Sequence, residues 1–138
     1  MVVMAALSLF SCNSTRRDVV TKSASIEGSW ELDFITGPRI SFQAMYPDKK
    51  PTINFDLKEN FFAGNSSCNQ YRGKLNLSNN TISFKGPIIS TKMMCPNIQG
   101  ETTYLKMLDK VETFSLSEDG KTLTFLMGEV VIMRYIKK

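Results

Sequence analysis

Apolar and polar residues alternate along this chain in short runs, separated by clusters of turn-forming residues. In GSWELDFI (28–35), Trp30, Leu32 and Phe34 occupy every second position, the period of a half-buried strand. PTINFDL (51–57) repeats the pattern with Ile53, Phe55 and Leu57, and Lys58-Glu59-Asn60 turns the chain into FFAG (61–64). KLNL (74–77), the turn Ser78-Asn79-Asn80 and TISF (81–84) read as a hairpin, and PIIS (87–90) as a further short strand. TFSL (113–116), TLTFLM (122–127) and VVIMRY (130–135) read as a meander, with Asp119-Gly120 and Gly128 at its turns. One segment has another period. From Asn97 to Thr113, Ile98, Leu105, Leu108 and Val111 recur near 3.6 residues, which predicts a helix over 97–113 that Gly100 weakens in its first turn. Residues 36–50 show no period and read as an irregular excursion. The expected fold is α+β and mostly β: an open, barrel-like antiparallel sheet of about seven to nine short strands with one helix covering it.

The first residues stand apart from this body. MVVMAALSLFSC carries an uncharged apolar run from Val2 to Phe10. That suits the core of a signal peptide and is too short to span a bilayer, which takes about 20 residues. Its ending, Leu9-Phe10-Ser11-Cys12, resembles a bacterial lipobox, although no Lys or Arg precedes the run. The resemblance implies a signal peptide over 1–11, lipidation at Cys12, a polar tether through Ser25 and one domain over 26–138. The expected location is the bacterial cell envelope, lipid-anchored, with the outer membrane facing the periplasm as the default side.

The net charge of +4 is scattered. The basic doublets Arg16-Arg17, Lys49-Lys50 and Lys137-Lys138 are not interleaved with aromatics, so no nucleic-acid footprint is expected. The chain has no histidine. With Cys12 consumed by lipid, Cys68 and Cys95 remain, and in an oxidising compartment a disulfide is the default, with two free thiols as the alternative. Zinc would want four ligands, and a cysteine nucleophile would want a base. Met93-Met94-Cys95 offers soft ligands for Cu(I), but methionine more often fills core gaps. Glu118-Asp119 sits in a predicted turn, and Glu27, Glu31, Asp33 and Asp56 are isolated. No catalytic residue, metal or cofactor is expected.

CNQYRG (68–73) followed by FKGPIISTKMMCP (84–96) resembles the META domain, the family of HslJ-like envelope lipoproteins. The positions that carry the likeness are Cys68, Asn69, Tyr71, Gly73, Gly86, Pro87, Ile88, Thr91, Met93, Cys95 and Pro96, with GSWEL (28–32) resembling the opening strand. Ser67 stands where a glycine commonly precedes the first cysteine, and Met94 where a small residue is usual. The resemblance implies an envelope location and an antiparallel sheet with one helix, and no defined activity. The residues themselves read as folding devices: Asn69 holding a turn, Gly73 and Gly86 at special backbone conformations, Pro87 opening a strand and Pro96 preceding a helix.

The remaining candidates are apolar. Trp30, Phe34, Phe42, Met45 and Tyr46 are a possible ligand or partner surface, the last three in a stretch (40–47) where a loop should be polar. The expectation is a non-enzymatic, monomeric module that contacts an envelope protein, in envelope maintenance or stress. The alternative is a carrier of an acyl chain or other small apolar ligand in the open end of the sheet.

Overall fold

A computed structural model describes residues 25–138. Its elements are β1 (Gly28–Ile35), α1 (Phe42–Met45), β2 (Thr52–Asp56), β3 (Phe61–Asn65), β4 (Gln70–Lys74), β5 (Asn76–Ser78), β6 (Thr81–Ser83), β7 (Ile88–Ser90), α2 (Ile98–Asp109), β8 (Thr113–Leu116), β9 (Thr122–Met127) and β10 (Val130–Lys137). All strands join one antiparallel sheet in the order β5-β6-β8-β9-β10-β1-β2-β3-β4-β7. The expected mostly-β, open-barrel class is what the chain forms.

The connections require the sheet to curl. β5 stands first in the order and β4 ninth, yet only Leu75 separates them in sequence. Eight strand spacings in a flat sheet would put them about 38 Å apart. A one-residue link reaches roughly 7 Å. The sheet therefore bends into a half-barrel, and Leu75 is buried where its two margins approach. Inside lie Trp30, Leu32, Ile53, Phe55, Phe62, Phe84, Phe125 and Tyr135, all 0–2% exposed. Phe84 packs at 4.9 Å from Phe62 and 5.4 Å from Phe125 between ring centroids. Burying one such ring is worth about 1.5–3 kcal/mol. From α2, Tyr104 and Leu108 enter the same core.

Four details differ from the sequence expectation. Among the described residues the strands number ten, because Gln70–Lys74 is a strand although only Tyr71 is a large apolar residue there. The excursion over 36–50 contains a helical turn, α1, whose Ser41 Oγ accepts from Ala44 N at 3.2 Å as an N-cap. The predicted helix 97–113 ends at Asp109, where the chain turns so that Glu112 N can donate to Leu126 O at 2.9 Å. Finally, β1 carries a bulge at Asp33, between Leu32 opposite Tyr135 and Phe34 opposite Arg134. The extra residue inverts the alternation. Phe34 turns outward, 37% exposed, and Ile35 turns inward.

Candidate functional site

The structure gathers the CNQYRG and TKMMCP segments around one side chain. The β3–β4 turn (Ser66–Asn69) lies against the strap that joins β7 to α2, and Cys68 and Cys95 form a disulfide across them, with Cα atoms 5.9 Å apart. In the chain-entropy account, a loop of their 27-residue separation stabilises by roughly 3.5 kcal/mol. Asn69 is buried at the centre. Its Oδ1 accepts from Met93 N at 2.7 Å and Thr91 Oγ1 at 2.9 Å, and its Nδ2 donates to Glu101 Oε2 at 3.0 Å. One carboxamide thus ties turn, strap and helix together, which is why no residue with a shorter or charged side chain would serve equally.

Glu101 is the residue that sequence reading missed. It occupies the first turn of α2 and is 5% exposed. Ser66 Oγ donates to its Oε1 at 2.6 Å. The Asn69 carbonyl, which takes the Ser66 N–H at 2.8 Å, also lies 2.9 Å from Ser66 Oγ, and the shorter contact to Glu101 is the one to a charge-bearing acceptor. The signal lay in the spacing: Glu101, Tyr104 and Leu108 sit at i, i+3 and i+7, an acid on the buried stripe of the helix. Of the periodic positions Ile98, Leu105, Leu108 and Val111, the last two lie in the core as expected. Ile98 is exposed and Leu105 half-buried, and both face a cleft.

That cleft, of about 500 Å³, runs between β7 and α2, with Ile88 and Ser90 on one wall, Ile98 and Leu105 on the other, and Asn69 and Glu101 at its floor. β7 closes the sheet order with a partner on one side only, β4. Thr91 N donates to Gln70 O at 3.0 Å, so by antiparallel alternation the N–H of Ser90 faces away from β4. On the sheet's outer face, a second hollow of about 580 Å³ reaches Ala63, Arg72 and Ile89. Ile89 is 76% exposed there.

All four tyrosines of the chain are buried. Tyr71 Oη donates to Thr52 O at 2.7 Å, so the 2.7 Å contact with Tyr104 Oη takes its proton from Tyr104. Tyr135 Oη in turn donates to Tyr104 at 3.0 Å. Burial raises the pKa of Tyr71, Tyr104 and Tyr135 well above the usual phenol value, and burial does the same for Tyr46, which donates to Gly100 O at 2.9 Å. The relay joins β2, β4, α2 and β10 through groups that stay protonated.

The other sequence candidates fall in different places. Cys12 lies outside the described residues. Trp30, Met45 and Tyr46 are core, not surface, because the inward face of β1 and the docking of α1 on α2 cover them. Phe42 is half-buried against Tyr46, and Phe34 lies on the outside under Arg134, 5.5 Å from its ring centroid. The five do not form one patch. Met93 and Met94 are exposed in the strap, and Pro87 and Pro96 stand just before β7 and α2. Neither Gly73 nor Gly86 has a positive φ, contrary to expectation. Gly73 is needed for contact instead: a Cβ there would lie 2.5 Å from Phe62 Cζ, so the ring covers the bare backbone. Ser67 does have a positive φ, 83°, a backbone conformation that glycine adopts at less cost.

A curled antiparallel sheet with a helix on its open side defines the class of fold. The chain belongs to the META domain family, whose profile matches residues 23–137. No curated protein matches it. An NMR structure of a protein from Burkholderia xenovorans is 18% identical, with a TM-score of 0.62, over 82% of this chain and 83% of that one. A second NMR structure is 24% identical, with a TM-score of 0.56, over 80% and 89%. The crystal structure of a DUF4847 family protein from Bacteroides vulgatus is 14% identical, with a TM-score of 0.57, over 82% and 94%. At these identities the likeness is one of fold.

Proposed function

We propose that this chain is a non-enzymatic, lipid-anchored protein-contact module of the bacterial cell envelope, serving envelope maintenance or stress response. The observation that carries the contact reading is a division of labour in the fold. The concave side of the sheet is filled by its own rings, while the β7 edge stays unpaired beside an open cleft. An unpaired strand edge offers main-chain donors and acceptors to another chain. The carrier alternative would need an acyl chain to displace packed rings such as Phe62, Phe84 and Phe125. The lipidated Cys12 and the envelope location rest on the resemblance of Leu9–Cys12 to a lipobox.

Native mass spectrometry of the domain over 26–138, exported to a bacterial periplasm without Cys12 and its lipid, separates the two. The contact reading predicts a species at the mass of the polypeptide with its disulfide. Extra mass in the lipid range, released on denaturation, would favour the carrier.

A further inference from the structure

Glu101 is a buried carboxyl group, in the first turn of α2, that reaches the edge of an open cleft. It is 5% exposed, yet it borders the β7–α2 cleft. Each oxygen receives one donor, Ser66 Oγ and Asn69 Nδ2, although a carboxylate offers about four acceptor positions. It has no cationic partner: among the described residues the ion pairs are Lys50–Glu31, Arg134–Asp33 and Lys138–Glu31. The charged side chain lining the cleft with it is Lys92, which is exposed at the mouth. A buried negative charge gains most from a cation that arrives with its own stem, because the stem excludes water as the charges meet. Around Glu101 the walls are mixed: Ile88, Ile98 and Leu105 supply apolar surface beside Ser90, Thr91 and Thr102.

We propose that the cleft takes an extended segment of a partner polypeptide, added as a further strand to the free edge of β7, with a basic side chain reaching down to Glu101. This rests on the protein-contact reading above and specifies its ligand. The Ser90 N–H, facing away from β4, begins the new ladder. Alternate side chains of an added strand point to the same face of the sheet as Ile88 and Ser90, toward α2. A lysine or arginine at one such position would lay its methylenes along Ile98 and Leu105 and set its charge against Glu101. The positions on either side would point to the outer face near Ile89.

The test is selection of a random decapeptide library on the immobilised full-length chain, repeated with Glu101→Gln, Ile98→Lys and Lys92→Ser. The expected result is enrichment of a basic residue at one position among β-branched or aromatic neighbours. Glu101→Gln and Ile98→Lys, the latter at an exposed site that leaves the core intact, should each weaken the selected peptide about ten- to 100-fold, as loss of a charge-assisted hydrogen bond would. Lys92→Ser, which removes a competing ammonium, should match or strengthen binding. N-methylation of alternate residues of the selected peptide should abolish it. Enrichment of apolar strand-forming peptides with no basic preference would overturn the role of Glu101 and leave the contact reading standing. Selected peptides that tolerate N-methylation at every position would overturn strand addition, as would the absence of any selected peptide.

Discussion

The direction of the tyrosine relay makes a sharp stability prediction. Protons run from Tyr135 to Tyr104, from Tyr104 to Tyr71, and from Tyr71 to the Thr52 carbonyl. Changing Tyr104 to Phe keeps the packed ring and removes one oxygen. It leaves the buried Tyr135 hydroxyl with no acceptor except Met133 Sδ at 3.9 Å, and it takes from Tyr71 the donor it accepts. A buried donor left unmatched costs about 1–3 kcal/mol, so Tyr104→Phe should lose about 2 kcal/mol. Tyr135→Phe removes the first donor of the chain and orphans no proton, so it should cost about 1 kcal/mol or less. For a domain of this size the two correspond to falls in Tm of about 6–10 °C and no more than about 5 °C. Urea unfolding followed by the fluorescence of Trp30, the chain's one tryptophan and fully buried, measures both. A Tyr135→Phe variant as unstable as Tyr104→Phe, with unchanged m-values, would refute the assigned direction.

Three further outcomes follow from the same geometry. The phenols have pKa values raised on folding above the unfolded 10, so their contribution is complete below pH 10 and is lost as pH rises past it. Each phenol removes up to about 1.4 kcal/mol per pH unit there. The tyrosinate absorbance should therefore stay flat above pH 10 and then jump with unfolding, and a gradual rise in the folded state would contradict the relay. Gly100→Ala should destabilise by about 1–3 kcal/mol although alanine is the better helix former. Its Cβ would lie 2.8 Å from Tyr46 Cε1, and a higher Tm would show that α1 is not tightly docked. Ser67→Gly should raise stability by about 0.5–1 kcal/mol, the relief of left-handed strain less the added freedom of the unfolded chain, read by urea titration.

The strands with one face in the core were legible because burial on one side writes a two-residue period, as in Ile53 and Phe55. β4 was not. Its outward positions are Gln70, Arg72 and Lys74, and one of its two inward positions is a glycine under the Phe62 ring, so a strand looked like a polar turn. The bulge at Asp33 was hidden too, since a one-residue insertion leaves the local pattern intact and changes only which face it meets. In the candidate site, the cysteines and Asn69 stood out by their chemistry. Glu101 did not, because its partners Ser66 and Asn69 lie 35 and 32 residues away in sequence. The cleft is a product of topology: it exists because β7 ends the sheet order and α2 follows it directly.

The central claim is that this chain acts through its β7–α2 side and not through its interior. A photo-crosslinking amino acid placed at Ile89 or Thr102, and as a control at Val130, tests it most directly in living bacteria. All three positions are exposed, so none disturbs the core. The account predicts a discrete protein adduct from Ile89 and Thr102 and none from Val130. An adduct from Val130 alone, or the same adducts from all three, would contradict it.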